Sequence, residues 1–247
     1  MGILDIVKGM THDDKPAAPQ KSVLEQAKEN RDEGFLGNTA TSLVENLLDV
    51  GIDGKGRFDS AAQVADGALK AKTSPEEAID KIVADHLKLA AAGGFLTSVG
   101  GFVTLPVAMP ANVAGFYILA TRTVAAIARV RGYNIDQQEI RTAVLLSLVG
   151  ADSKDLLAKA GMVTPTGRLS NLAAQRLPGP AMMMINKAVG FRLLSSAGAK
   201  TLTRFGRAIP LAGGVIGAGM DGFLLKRIAD NARKEFPANP AAGQLAR

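Results

Sequence analysis

Residues 89–121 form a run of 33 amino acids without a single charge, bracketed by Lys88 and Arg122. An uncharged stretch longer than 18 residues is normally read as a transmembrane helix. Here Gly93, Gly94, Gly100, Gly101, Pro106 and Pro110 interrupt it. Two shorter helices around a Leu105-Pro106 turn are therefore expected, each arm short for a bilayer crossing. Gly93, Thr97 and Gly101 recur every four residues, the small-residue spacing that lets helix backbones approach closely. Gly213 and Gly217 repeat it near the C-terminus. Burial in a helical core and insertion into a membrane both satisfy this pattern, and hydropathy alone does not separate them.

The rest of the chain is also helical in its periodicity. Patterns occur at residues 21–32, 40–49 and 59–72, broken by Gly34, Gly37 and the run from Gly51 to Gly56. Ser74-Pro75-Glu76-Glu77 carries the signature of a helix start: an N-cap serine, a proline at the first position and a glutamate closing a capping box. Ile79, Ile82, Val83, Leu87 and Ala90 then give one apolar face. Asp136 with Glu139 predicts a second box, opening a helix that Gly150 ends, and another helix is expected from Pro110 to Arg131, stopped by Gly132. Three or four more are expected between 153 and 236, separated at Gly161, Pro165, Leu177-Pro178-Gly179-Pro180 and Pro210. No stretch alternates with the period of a strand. The fold class is thus all-α, a compact multi-helix bundle with a glycine-rich apolar hairpin. Residues 1–20 read as a short amphipathic segment plus linker, 21–236 as one helical domain and 237–247 as a flexible tail. Aromatics are only 4% of the 247 residues, so the core has to be built from Ala, Leu, Val and Ile.

Charge is unevenly placed. Residues 1–150 carry a balance of −3 and residues 151–247 a balance of +9. Between Asp155 and Asp221 there is no acid, while Lys159, Arg168, Arg176, Lys187, Arg192, Lys200, Arg204 and Arg207 all fall there. A stretch of one sign suits an anionic partner, whether lipid headgroup, phosphate or nucleic acid; a solvated basic face is the plain alternative. Nucleic acid fits poorly, because no aromatic residues alternate with the cations to stack bases. Arg122 and Arg129 share a face of the helix predicted at 110–131, and Arg141 lies on the next helix. These three, with Lys187, Arg192, Arg204 and Arg207, are the candidate contacts to an anionic headgroup or phosphate. Asp221 is the single acid of the glycine-rich C-terminal segment and a candidate buried partner for one of them.

Catalytic and cofactor motifs fail on inspection. Gly217-Ala218-Gly219-Met220-Asp221-Gly222 spells the dinucleotide fingerprint but lacks the preceding strand it needs. Gly198-Ala199-Lys200-Thr201 misses the spacing of a phosphate loop. Leu96-Thr97-Ser98-Val99-Gly100 lacks the first glycine of a nucleophile elbow, and Ser98 is twelve residues from His86 on one predicted helix, roughly 18 Å away. His86 is better read as a packing or helix-surface residue. With no cysteine, disulfides and thiolate metal sites are excluded, and no His or carboxylate cluster has ligand spacing. The expectation is no catalytic residue, cofactor or metal. The opening Met-Gly-Ile-Leu-Asp-Ile-Val-Lys fits neither a secretory signal nor a myristoylation site, which sets a cytoplasmic location as the expectation.

Gly93-Gly94-Phe95-Leu96-Thr97, Gly100-Gly101-Phe102-Val103-Thr104-Leu105-Pro106, Arg122 with Ala125-Ala126-Ile127-Ala128, and Gly132-Tyr133-Asn134-Ile135 together resemble the EcsC protein family of bacteria. The likeness continues through Arg141 to Leu148-Val149-Gly150. It resumes at Asn186-Lys187, Gly190-Phe191-Arg192 and Ile209-Pro210-Leu211-Ala212-Gly213-Gly214 with Asp221, covering roughly residues 40 to 236. The resemblance implies a membrane connection and supplies no catalytic residues. Combined with the apolar and basic segments, it leads to the expectation of a non-enzymatic protein, peripheral to the inner face of the membrane. It would dock on or into anionic bilayers, or on a membrane protein, through the basic region and the apolar hairpin. The alternative is a soluble helical module enclosing a hydrophobic or phosphorylated small molecule, with room for an enzymatic step.

Overall fold

A computed structural model describes residues 35–56, 58–91, 111–162, 167–205 and 212–239. Among these every regular element is a helix. In chain order they are α1 (Phe35–Asn46), a π-helical extension (Leu47–Ile52), α2 (Ala61–Ala71), α3 (Pro75–Ala91), α4 (Ala111–Val130), α5 (Gln138–Val149), α6 (Asp152–Lys159), a 3-10 turn (Leu169–Ala174), α7 (Gly179–Phe205) and α8 (Ala212–Glu235). The helix pattern at 21–32, the amphipathic start and the Leu105-Pro106 turn lie outside the described residues.

Helix α4 is the axis of the bundle and packs against α2, α3, α5, α8 and the π-helical extension. Its sequence is almost free of long polar side chains, so it can be surrounded on all sides. Residues from Ala114 through Ala128 are buried, apart from the half-buried Phe116. By length and composition alone the stretch Val113–Val130 could cross a membrane, but 83% of it is buried inside the protein. The second arm of the predicted hairpin is therefore the core helix.

Local signals explain most boundaries. Ser60 Oγ accepts from Gln63 N at 3.1 Å and Gln63 Oε1 accepts from Ser60 N at 2.8 Å, a reciprocal box that starts α2. At α3 the Ser74 hydroxyl accepts from Glu77 N at 3.2 Å, but the Glu77 carboxylate reaches past Ser74 to Thr73 N and Oγ1. Those Thr73 hydrogen bonds hold the Glu77 carboxyl below its ordinary pKa. The box expected at Asp136 does not form. Asp136 N donates to Asn134 Oδ1 at 3.0 Å, a turn that occupies the entry, and α5 begins only at Gln138 with no side-chain cap. Gly132 (φ +85°) and Gly150 (φ +60°) stop α4 and α5 in conformations that side chains disfavour.

Gly37 and Gly51 were expected as breaks and are not. Gly37 lies inside α1, and Gly51 lies inside the π-helical extension. A Cβ at Gly51 would sit 2.9 Å from the Thr121 side chain, so this glycine lets α4 press against the extension. Gly190 does the same at the α1–α7 crossing, where a Cβ would meet the Ala40 carbonyl oxygen at 2.5 Å. Of the glycines predicted for close packing, Gly93, Gly94, Gly100 and Gly101 lie outside the described residues, and Gly213 and Gly217 fall in the first turns of α8.

Candidate functional site

Two features of this bundle bear on function: a buried Arg122–His86 pair in its middle, and the charge contrast between its two ends.

Arg122 is 4% exposed, held in the core of α4. Its Nη2 donates to the Val50 carbonyl at 3.0 Å, and its guanidinium carbon lies 5.0 Å from the Phe58 ring centroid. Val50 belongs to the π-helical extension, where the changed hydrogen-bond register leaves carbonyls available, as is common at functional sites. Nε is buried without a partner. Burial pushes the guanidinium down to about 10, opposed by the charge of exposed Asp59. His86 on α3 is also 4% exposed, with Nδ1 unpartnered. Burial, reinforced by the Arg122 charge and opposed by a hydrogen bond to the Ile82 backbone one turn back on α3, pushes this imidazole down to about 4, so it is neutral near pH 7. The packing reading of His86 thus agrees with its position; its proximity to Arg122 carries no sequence signal, because the two sit on different helices.

The other predicted cations are placed differently. Arg129 makes a two-pronged pair with Asp66, both contacts at 3.3 Å. Arg141 grips Asp53 at 2.8 and 2.6 Å, and this carboxylate raises its pKa. Arg192 pairs with Asp152 at 2.5 Å. Lys187 and Asp221 are half-buried on α7 and α8. Arg204 lies in the last turn of α7 with its side chain outside the described set, and Arg207 is outside it altogether. No group of three potential metal ligands occurs among the described residues.

The ends of the bundle follow from two ion pairs and a tether. Arg131, just past the C-terminus of α4, pairs with Glu76 in the first turn of α3 at 2.5 Å, so the two helices are antiparallel. Arg233, near the C-terminus of α8, pairs with Asp80 on α3 at 2.6 Å, so α8 is antiparallel to α3 and parallel to α4. Asn239 N donates to the Arg131 carbonyl at 2.9 Å, and its Nδ2 to that of Gly132 at 3.1 Å, tying the start of the predicted tail to this end. Tyr133 and Phe236 stack edge to face beside them, centroids 5.5 Å apart.

At the opposite end lie Ala91, Ala111 and Ala212. Pairing Arg131 with Glu76 carries α4 about 7 Å beyond the end of α3, at 1.5 Å per residue. Gly222, whose Cβ would lie 3.8 Å from Leu87, sets a similar overshoot of about 9 Å for α8. Neither projecting segment holds a charge: residues 111–121 and 212–220 are both uncharged. Leu89 (44% exposed) on α3 and Phe223 (65% exposed) on α8 are large apolar side chains open to the surface.

The model of the EcsC protein family matches residues 35–237, which is most of the chain. The chain belongs to the EcsC protein family. Comparison with curated proteins and with solved structures found no match. The EcsC match spans every described helix, from α1 through α8. The pair Arg122–His86 and both ends of the bundle therefore lie within the family region.

Proposed function

We propose that this EcsC family protein is a non-enzymatic membrane-associated module that docks on anionic bilayers by the uncharged end of its bundle. The observation that carries the reading is the parallel α4–α8 pair running past α3 where neither helix has a charge, while the far end is closed by Arg131–Glu76 and Arg233–Asp80. A bundle polarised along its axis in this way has one end suited to hydrocarbon and one suited to water. Exposed Phe223 and Leu89 extend the apolar surface down its sides.

Cations flank the uncharged segments along the chain. Lys88 is 78% exposed in the last turn of α3, with only a long 3.5 Å contact to Asp85, and the sequence puts Lys200, Arg204 and Arg207 at the junction from α7 into α8. Near an anionic surface each would add about 1 kcal/mol, enough together for reversible attachment. Arg129, Arg141 and Arg192 already hold carboxylates and contribute less to this reading. The test is flotation of the full chain with zwitterionic and anionic vesicles at low and high salt. Flotation only with anionic lipid, weakened by salt, is the expected result; absence from both vesicle fractions overturns the reading.

A further inference from the structure

The exposed surface of the bundle changes chemistry over a single helical turn. Facing positions on two antiparallel helices keep a constant sum of residue numbers. Gly222 beside Leu87 and the Arg233–Asp80 pair therefore set Lys88 level with residues 221–225 of α8. Exposed Phe223 and Leu89 stand at that height. The next exposed positions on α8, one turn or about 5 Å toward the ion-paired end, are Lys226 and Arg227. In the other direction half-buried Asp221 marks the boundary, and α8 runs uncharged from residue 220 back to Ala212, about 13 Å. Helix α4, in register with α3 through Arg131–Glu76, passes the level of Lys88 by about 12 Å, also without a charge.

We infer that Lys88, Lys226 and Arg227 form a belt that binds the phosphate groups of anionic lipid, with the uncharged end seated in a single leaflet. The inference rests on the docking reading and gives it a depth and a set of headgroup contacts. About 13 Å of uncharged helix is close to half of a hydrocarbon core about 30 Å thick, so the end fills one leaflet and stops short of the other. A cation one turn below an exposed phenylalanine can lay its stem along apolar surface while its head reaches a phosphate. Arg227 makes no ion pair among the described residues, Lys88 has only its 3.5 Å contact with Asp85, and Lys226 is held at 2.7 Å by exposed Asp230 of its own helix. None of these contacts is a buried pair that a lipid would have to break. Lys226 and Arg227 lie after Asp221, outside the acid-free stretch of the sequence, and only the register of α3 and α8 brings them near the height of Lys88.

The test titrates the full chain with vesicles of phosphatidylcholine containing phosphatidylglycerol, bound protein being read by flotation. Two triple variants of equal net charge are compared with the parent, all at exposed positions. Lys88→Gln, Lys226→Gln and Arg227→Gln together remove the belt. Lys70→Gln, Lys72→Gln and Lys234→Gln together remove three cations near the ion-paired end. Binding is expected to weaken about a hundred-fold in the first variant, at about five-fold per cation, and by less than about two-fold in the second, whose charges are screened from the surface. Equal losses in the two variants, or unchanged binding of the first, overturn the belt while the docking reading stands. A parent that stays unbound overturns the docking reading and the belt with it. Depth is read in Phe223→Trp, since the parent has no tryptophan. Its fluorescence is expected to be quenched more by lipid brominated near the headgroup end of the acyl chain than by lipid brominated near the terminal methyl; the reverse order overturns the seating in one leaflet.

Discussion

Burial decides the behaviour of His86. Its folded pKa lies near 4 against an ordinary value of 6.5, because the charged imidazole would be stripped of water beside the Arg122 cation. As pH falls below 6.5 the unfolded chain takes up a proton that the native state refuses until about pH 4. Stability therefore falls through that window, by up to about 3 kcal/mol, and this contribution is flat below it. Asp85, held low mainly by its hydrogen bond from Lys81, and Glu77, held low by Thr73, lose their contributions only at more acid pH. Urea unfolding of the parent and His86→Leu between pH 7 and 4.5 checks this. The stability difference between them should shift in favour of the variant as pH falls, and a constant difference would contradict the buried neutral state. The sequence left His86 as a packing or a helix-surface residue; the burial that decides between them comes from tertiary packing and could not be read from α3 alone.

Glycine separates the elements into two kinds of case. At Gly190 the backbones of α7 and α1 are so close that a methyl group would strike the Ala40 carbonyl, an atom that cannot move without the helix. Gly190→Ala is expected to destabilise by about 1–3 kcal/mol, as overpacking does. Gly67, on the exposed side of α2, has open space around it. Gly67→Ala is expected to stabilise by about 0.5–1 kcal/mol through helix propensity. Thermal melts of the two variants should move in opposite directions, and a shared sign would refute the assigned crossing. The four-residue glycine spacing was visible in the sequence at Gly93 and Gly213. The approaches at Gly51 and Gly190 were not, because each partner, Thr121 or Ala40, is distant in sequence and leaves no local period.

At the scale of the whole molecule, the antiparallel placement of α3 against the parallel pair α4 and α8 gathers uncharged segments at one end and ion pairs at the other. Asp introduced on the apolar flank and loss of an ion pair should then have different effects. Phe223→Asp, at a side chain 65% exposed, is expected to cut flotation with anionic vesicles several-fold while leaving the melting temperature nearly unchanged. Arg233→Gln, at the far end, should leave flotation unaltered and cost less than about 1 kcal/mol of stability, as for a half-exposed pair. Equal flotation of the parent and Phe223→Asp would remove this end as the docking surface.

The sequence by itself determined the helical class, the helix starts at Ser74-Pro75, the stops at Gly132 and Gly150, and the split of charge between the two halves, because capping, glycine conformation and periodicity act within a few residues. It left the uncharged run undivided between core and membrane, since a buried helix and a spanning helix ask for the same side chains. Tertiary packing placed residues 111–121 in the core helix, carried Gly51 through a π-helical turn rather than a break, and gave Arg129, Arg141 and Arg192 their carboxylates. It also left Arg122 without one. Those outcomes depend on which residues from distant parts of the chain arrive side by side, and no local pattern encodes that.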